Sequence, residues 1–308
     1  MKKVLLVAII CSFALGNFSA ISQAAPPENS TTEAQDSLLD DVNWYWLNSD
    51  AKYSNFFDPE SLQINSRIIT DTGSVPTEIQ GWIKTTYSYE GAKETIKSYG
   101  IENVIPDPSK LSYSLALLKI DPQNRIVRYA REDFYDAEGK VIWSKDPRTA
   151  KDIEINSQKF EEIFYDAIVD EVFRQGESDR RTAPEEEHWL ILWTVNDENG
   201  VTTASADTTT FRLRNNNLIF WEWIETKNSD DKTIEIFFLK KMVNLPQGTE
   251  KTAAGDKWTP HTGWTKYNDE MNGGYRMIQS DEPAYKGLIR LRAYAKQNPD
   301  WINRYSVD

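Results

Sequence analysis

Acid–base or metal chemistry in this chain has two imidazoles to start from, His188 and His261. An imidazole metal site needs a second histidine or a carboxylate at fixed spacing on one element. His188 opens an apolar run and His261 lies in Thr-Pro-His-Thr-Gly. Neither has a histidine partner at such spacing, so both read as surface or packing side chains. Nucleophile motifs are missing as well. There is no Gly-x-Ser-x-Gly elbow, and Ser49-Asp50-Ala51-Lys52 spells Ser-x-x-Lys in a turn-like stretch without companion motifs. No phosphate loop or dinucleotide fingerprint occurs. Asp197-Glu198-Asn199-Gly200 lacks the distal glutamate of a calcium loop. No catalytic residue, cofactor or metal ligand is therefore expected. A glycosidase needs two carboxylates across a cleft, and no pair stands out among 48 acidic residues. Glu222 and Glu225 sit beside tryptophans in an alternating strand and read as its solvated face.

Tryptophan is the residue type in excess, with eleven in 308 residues. Trp44 and Trp46 are two apart, as are Trp221 and Trp223, so each pair shares a sheet face. Their apolar flanks point to the core. Trp258 and Trp264 differ. With Tyr267 they fall in a polar segment, residues 255–267, punctuated by Pro260 and Gly263. That segment reads as a long loop displaying aromatic rings, the usual setting of a binding site. Trp258, Trp264 and Tyr267 are the candidate ligand-binding residues, for stacking on sugar rings or anchoring a partner protein.

The elements that must hold these residues are legible. Lys2 and Lys3 precede an apolar run to Leu15, and Ser22-Gln23-Ala24 offers the small residues of a cleavage site. Residues 1–24 are thus predicted to be a secretory signal. Cys11, the single cysteine, would leave with it. Export to the periplasm, the cell surface or the medium is expected. No later run is long enough to span a membrane. The chain carries a net charge of −13, more negative still without the two lysines. That balance disfavours nucleic acid and anionic lipid as partners, leaving an unidentified protein or glycan. Residues 25–42 read as a flexible leader.

The remainder divides at a polar, charged stretch, residues 175–187, predicted to link a domain of residues 43–174 to one of residues 188–308. Both are dense in aromatic and β-branched residues. Short turns such as Asp121-Pro122-Gln123-Asn124, Asp136-Ala137-Glu138-Gly139 and Asn215-Asn216-Asn217 force antiparallel neighbours. Each half ends in an amphipathic helix, the first capped by Ser157, the second starting near Ser280 with Pro283 in its first turn. The expected fold class is α+β: two domains, each an antiparallel β-meander sheet with a C-terminal helix packed on one face. The order of elements agrees between the halves well enough to read as a diverged internal repeat.

The first half also resembles a known family. A signal peptide, Trp44-Tyr45-Trp46, Asp58-Pro59-Glu60-Ser61-Leu62, Gly81-Trp82-Ile83 and a strand pair running from Phe134-Tyr135-Asp136 to Val141-Ile142-Trp143 together resemble the surface-adhesin protein E-like domain of Gram-negative bacteria. The chain departs from that pattern at Asp121-Pro122, near which the family often has a cysteine. The resemblance implies a sheet with a packed helix, an envelope or surface location, and binding rather than catalysis. It carries over no ligand. The function expected is that of an exported, non-catalytic, adhesin-like binding protein. The alternative is a periplasmic enzyme acting on polysaccharide or peptidoglycan through paired carboxylates.

Overall fold

The computed structural model describes residues 42–71, 73–198, 200–267 and 273–307. The predicted signal peptide and nearly all of the leader lie outside the described residues. Two antiparallel sheets, of eight and seven strands among the described residues, account for the two domains. The first has the order β1 (Tyr45–Ser49), β2 (Tyr53–Phe57), β4 (Gly73–Tyr87), β5 (Tyr113–Asp121), β6 (Ile126–Tyr135) and β7 (Val141–Ser144). The edge strand β3 (Gln63–Thr70) pairs with the first half of β4, and the short β8 (Ile153–Glu154) pairs with β6. The second sheet is a plain meander from β9 to β14: β9 (Trp189–Asp197), β10 (Gly200–Arg214), β11 (Asn217–Lys227), β12 (Thr233–Asn244), β13 (Thr249–Thr259) and β14 (Gly263–Lys266). A two-residue strand, β15 (Arg276–Met277), adds to β13.

The turns follow from local chemistry. Asp121 accepts from the backbone of Gln123 and Asn124, and Asp136 from that of Glu138 and Lys140. Asn215 and Asn216 both take positive φ, the primed turn whose twist suits a hairpin.

One face of each sheet is covered by helix. In domain 1, Ile79, Ile83, Leu118, Ile120 and Val127 pack under α2 (Glu162–Phe173) through Ile163, Phe164, Ile168 and Val169. The sequence predicts Ser157 as the N-cap of this helix, but the N-cap is Glu161, four residues later. Asn156 accepts from the backbone N–H of Gln158 and closes an Asx turn that competes with helix start. A further helix, α1 (Tyr89–Tyr99), follows β4 and packs Ala92 and Ile96 with Phe134 beside α2. Ser88 caps it and Gly100, at φ 65°, ends it. In domain 2, Ala284, Leu288, Leu291 and Ala295 line the inner side of the C-terminal helix, packing with Leu192, Phe220 and Val243. Gly287 lets that helix approach closely, since a Cβ there would meet the Cβ of Leu192 at 3.2 Å.

The stretch expected as a linker folds into two short helices, α3 (Glu177–Thr182) and α4 (Glu185–His188). The C-terminal helix, α5 (Pro283–Gln297), is followed by α6 (Pro299–Ile302) and a tail that returns to domain 1. Tyr305 in that tail joins the domain 1 core, 4.4 Å from Phe173 between ring centres. Glu177 of α3 is buried and lies between two buried arginines. Arg125 of domain 1 donates to one of its oxygens at 2.9 Å and Arg304 of the tail to the other at 2.6 Å. Tyr305 Oη donates to it as well, at 3.0 Å. Burial alone would raise the Glu177 carboxyl, but the two guanidiniums outweigh it and hold its pKa below the ordinary value. Glu154 of β8 repeats the theme, accepting from Arg212 at 2.8 Å and Lys240 at 2.7 Å across the seam. Trp301 is sandwiched between Arg180 and Arg304. The two domains are thus joined by a buried ionic seam.

Candidate ligand-binding face of domain 2

Alternation along β11 to β14 decides which residues can meet a ligand. Leu218, Phe220, Glu222 and Ile224 point to α5, so Trp221, Trp223 and Glu225 point to the opposite face. Cross-strand partners share a face. Register therefore puts Trp223, Phe238, Asp256 and Lys266 in one row, and Glu225, Ile236, Trp258 and Trp264 in the next.

Residues 255–267 are not the long loop that their polarity predicts. They form a tight hairpin, with Trp258 directly opposite Trp264 and a turn at residues 260–262. Thr259 Oγ1 accepts from the backbone N–H of Thr262 at 3.2 Å, and Gly263 supplies the left-handed residue at φ 62°. Trp258 and Trp264 are brought together, each half-buried. Tyr267 is not. It falls on the other face, with its ring 5.3 Å from that of Phe237 and its N–H donating to Gly255 O.

Beneath the hairpin the rings form a connected run. Trp264 meets Trp223 edge-on at 5.9 Å, Trp223 meets Phe238 at 5.8 Å and Trp189 at 6.4 Å, and Phe238 stacks on Trp221 at 4.6 Å. Trp189, Trp223, Trp258 and Trp264 are half-buried, and Ile191 at the margin is exposed. The charged residues of the face are already engaged. Asp256 pairs with Lys266 at 2.8 Å and Glu225 accepts from the Thr233 hydroxyl.

The opposite face of the domain 1 sheet, also free of α1 and α2, is built differently. Arg131 lies over Trp82 at 5.8 Å and is tied to Asp133. Lys84 lies 4.7 Å from the Tyr113 ring and 5.8 Å from that of Trp44, and Tyr113 stacks on Tyr135. Cations cap these rings.

Three expectations about aromatic strands need correcting. Trp46 is exposed and Trp44 half-buried, because a bulge between Trp46 and Asn48 in edge strand β1 breaks the alternation and leaves Leu47 to pack on the core. Trp221 is buried, and Trp223 belongs to the partly open aromatic run. Glu222 is not on a solvated face. It is buried under α5, in a cavity of about 20 Å³ shared with Lys241 and Glu250. Burial pushes its carboxyl up to about 7, with Lys241 opposing and Glu250 adding to the rise. Lys241 pairs with Glu250 at 3.0 Å. Such a cavity has room for a single water, not for a sugar ring.

His188 packs on Trp189, with Nε2 3.1 Å from Asp207 Oδ1. Burial lowers its pKa, but Asp207 outweighs that and the net shift is upward. His261 sits exposed in the hairpin turn. No helix among the described residues is long and apolar enough to cross a membrane. Comparison with protein-family models and with curated proteins finds no match to this chain.

Proposed function

We propose that this chain is an exported, non-catalytic binding protein of the cell envelope or surface, and that its ligand lies on the aromatic face of domain 2. One observation carries this reading. Trp223, Trp258 and Trp264 stand half-exposed on a single sheet face, flanked on that face by Phe238 and Ile236. Indoles held in place lose little freedom on binding and offer large contact area, which is why they anchor recognition surfaces. The predicted signal peptide and the resemblance to surface-adhesin protein E-like domains point the same way. A polysaccharide- or peptidoglycan-directed enzyme calls for two carboxylates across a cleft. Glu222 and Glu250 do share a cavity, but its size admits water alone.

The test is an array of host matrix proteins and of host and bacterial glycans, probed with the chain from Ala25 onward and with its Trp258→Ala/Trp264→Ala variant. A saturable signal lost in the variant is the expected result. A signal that survives the double substitution places the binding site elsewhere.

A further inference from the structure

Resting on that reading of the face, we infer that its ligand is a neutral oligosaccharide. Lys240 and Lys266 on this face are each paired with a carboxylate. Lys266 is held by Asp256 at 2.8 Å, and Glu225 takes the hydroxyl of Thr233. An anionic ligand therefore meets cations that are already paired, while Glu225, engaged only by a neutral hydroxyl, and the net charge of −13 repel sulfated, sialylated or uronic glycans. What the face does offer is a set of inclined apolar plates. Trp258 and Trp264 are adjacent across the hairpin, and Trp223 stands 5.9 Å from Trp264 at 62°. A pyranose ring is apolar on its C–H faces and polar at its hydroxyl rim. Indole faces match the first, and hydroxyls beside them match the second. Ser205 lies directly opposite Trp223, and Thr203 lies opposite Glu225 in the row that continues through Ile236 to Trp258 and Trp264. A protein partner of standard size would bury about 800 Å² on each side. The half-exposed apolar strip here comprises four indoles, Trp189, Trp223, Trp258 and Trp264, with Ile191 at its margin, well short of the about 20 residues that such an interface takes from each side.

The test is isothermal titration of the chain from Ala25 onward with cellohexaose, maltohexaose and chitohexaose, beside a heparin hexasaccharide and matrix proteins. At least one neutral hexasaccharide should bind with Kd below ~1 mM. Trp258→Ala should weaken it about tenfold or more, and Trp258→Phe, which keeps an aromatic ring, by less. Far-UV circular dichroism checks that each variant folds. If the alanine variant does not, Ile191→Arg serves instead, since it removes no indole and should weaken the same ligand. If no neutral hexasaccharide binds, or if binding is indifferent to these substitutions, the sugar assignment is overturned. A protein or anionic glycan lost in the same variants overturns it too, but leaves the face as the binding site. A ligand indifferent to all of them removes both readings.

Discussion

The two faces that the long helices leave uncovered carry similar aromatic content and differ in what lies over it. In domain 1, Arg131 covers Trp82 and Lys84 lies between Trp44 and Tyr113. In domain 2, Trp189, Trp223 and Trp264 lie against one another instead. A guanidinium over an indole satisfies its π face and screens it from other partners. Indoles that meet edge to face keep part of their faces available. The same sheet architecture is thus finished with cations over half-buried indoles in one half and with indoles against one another in the other.

The two sheets are joined at the seam around Glu177. Glu177→Ala leaves Arg125 and Arg304 buried without their carboxylate. Stability should fall by about 3–5 kcal/mol, and denaturant unfolding is expected to show one transition in the wild type and two in the variant. An unchanged single transition would show that the seam does not couple the domains.

The next largest effect separates the two covered faces. Both covered faces bury a carboxylate, but the one in domain 1, Glu132, is paired with Lys145 at 3.3 Å, whereas the one in domain 2, under α5, is Glu222. Its pKa rises on folding from the ordinary 4.5 to about 7. The folded state therefore holds a proton that the unfolded state releases, and stability falls as pH rises across that interval. The loss is on the order of 3 kcal/mol above pH 7. Comparing urea midpoints of wild type and Glu222→Gln at pH 5 and pH 8 should show a smaller pH difference in the variant. Glu162 and Asp166, also raised by burial, act in the same direction and remain in both proteins.

Uncapping domain 1 is a smaller change. Arg131→Ala removes the cation over Trp82 and the partner of buried Asp133. A loss of about 1–2 kcal/mol is expected, with Trp82 fluorescence becoming quenchable by iodide. The reverse experiment caps domain 2. Arg131 reaches Trp82 across Leu117, and Ile191 stands in the same relation to Trp223 across Ser205. Ile191→Arg should change stability by no more than about 1 kcal/mol, while weakening binding at the aromatic face. If binding is undiminished, shielding of the rings is not what distinguishes the two surfaces.

Short-range chemistry made much of this fold legible. Asp121, Asp136 and the Asn215–Asn216 pair announce their turns because their side chains or positive φ act within a few residues. The α5 stripe repeats at helical spacing. Helix α1 was missed although Ser88 and Gly100 mark its ends, because it is short, mostly polar and set between two strong strands. The phase of β11 was misjudged because Glu222 looks like a surface residue, and only its long-range neighbours bury it. Glu177 was hidden for the same reason. Its segment has linker composition, and its partners Arg125 and Arg304 lie 52 and 127 positions away. At the candidate site, Trp258 and Trp264 were legible as exceptional. The hairpin that pairs them was concealed by the polar residues around Pro260.

The most direct measurement is per-residue oxidative footprinting of the tryptophans in the folded chain, read by mass spectrometry. The account predicts that Trp223, Trp258 and Trp264 are modified faster than Trp82 and Trp221. Equal rates at Trp82 and at the domain 2 indoles would contradict the division into a cation-covered face and an uncovered one.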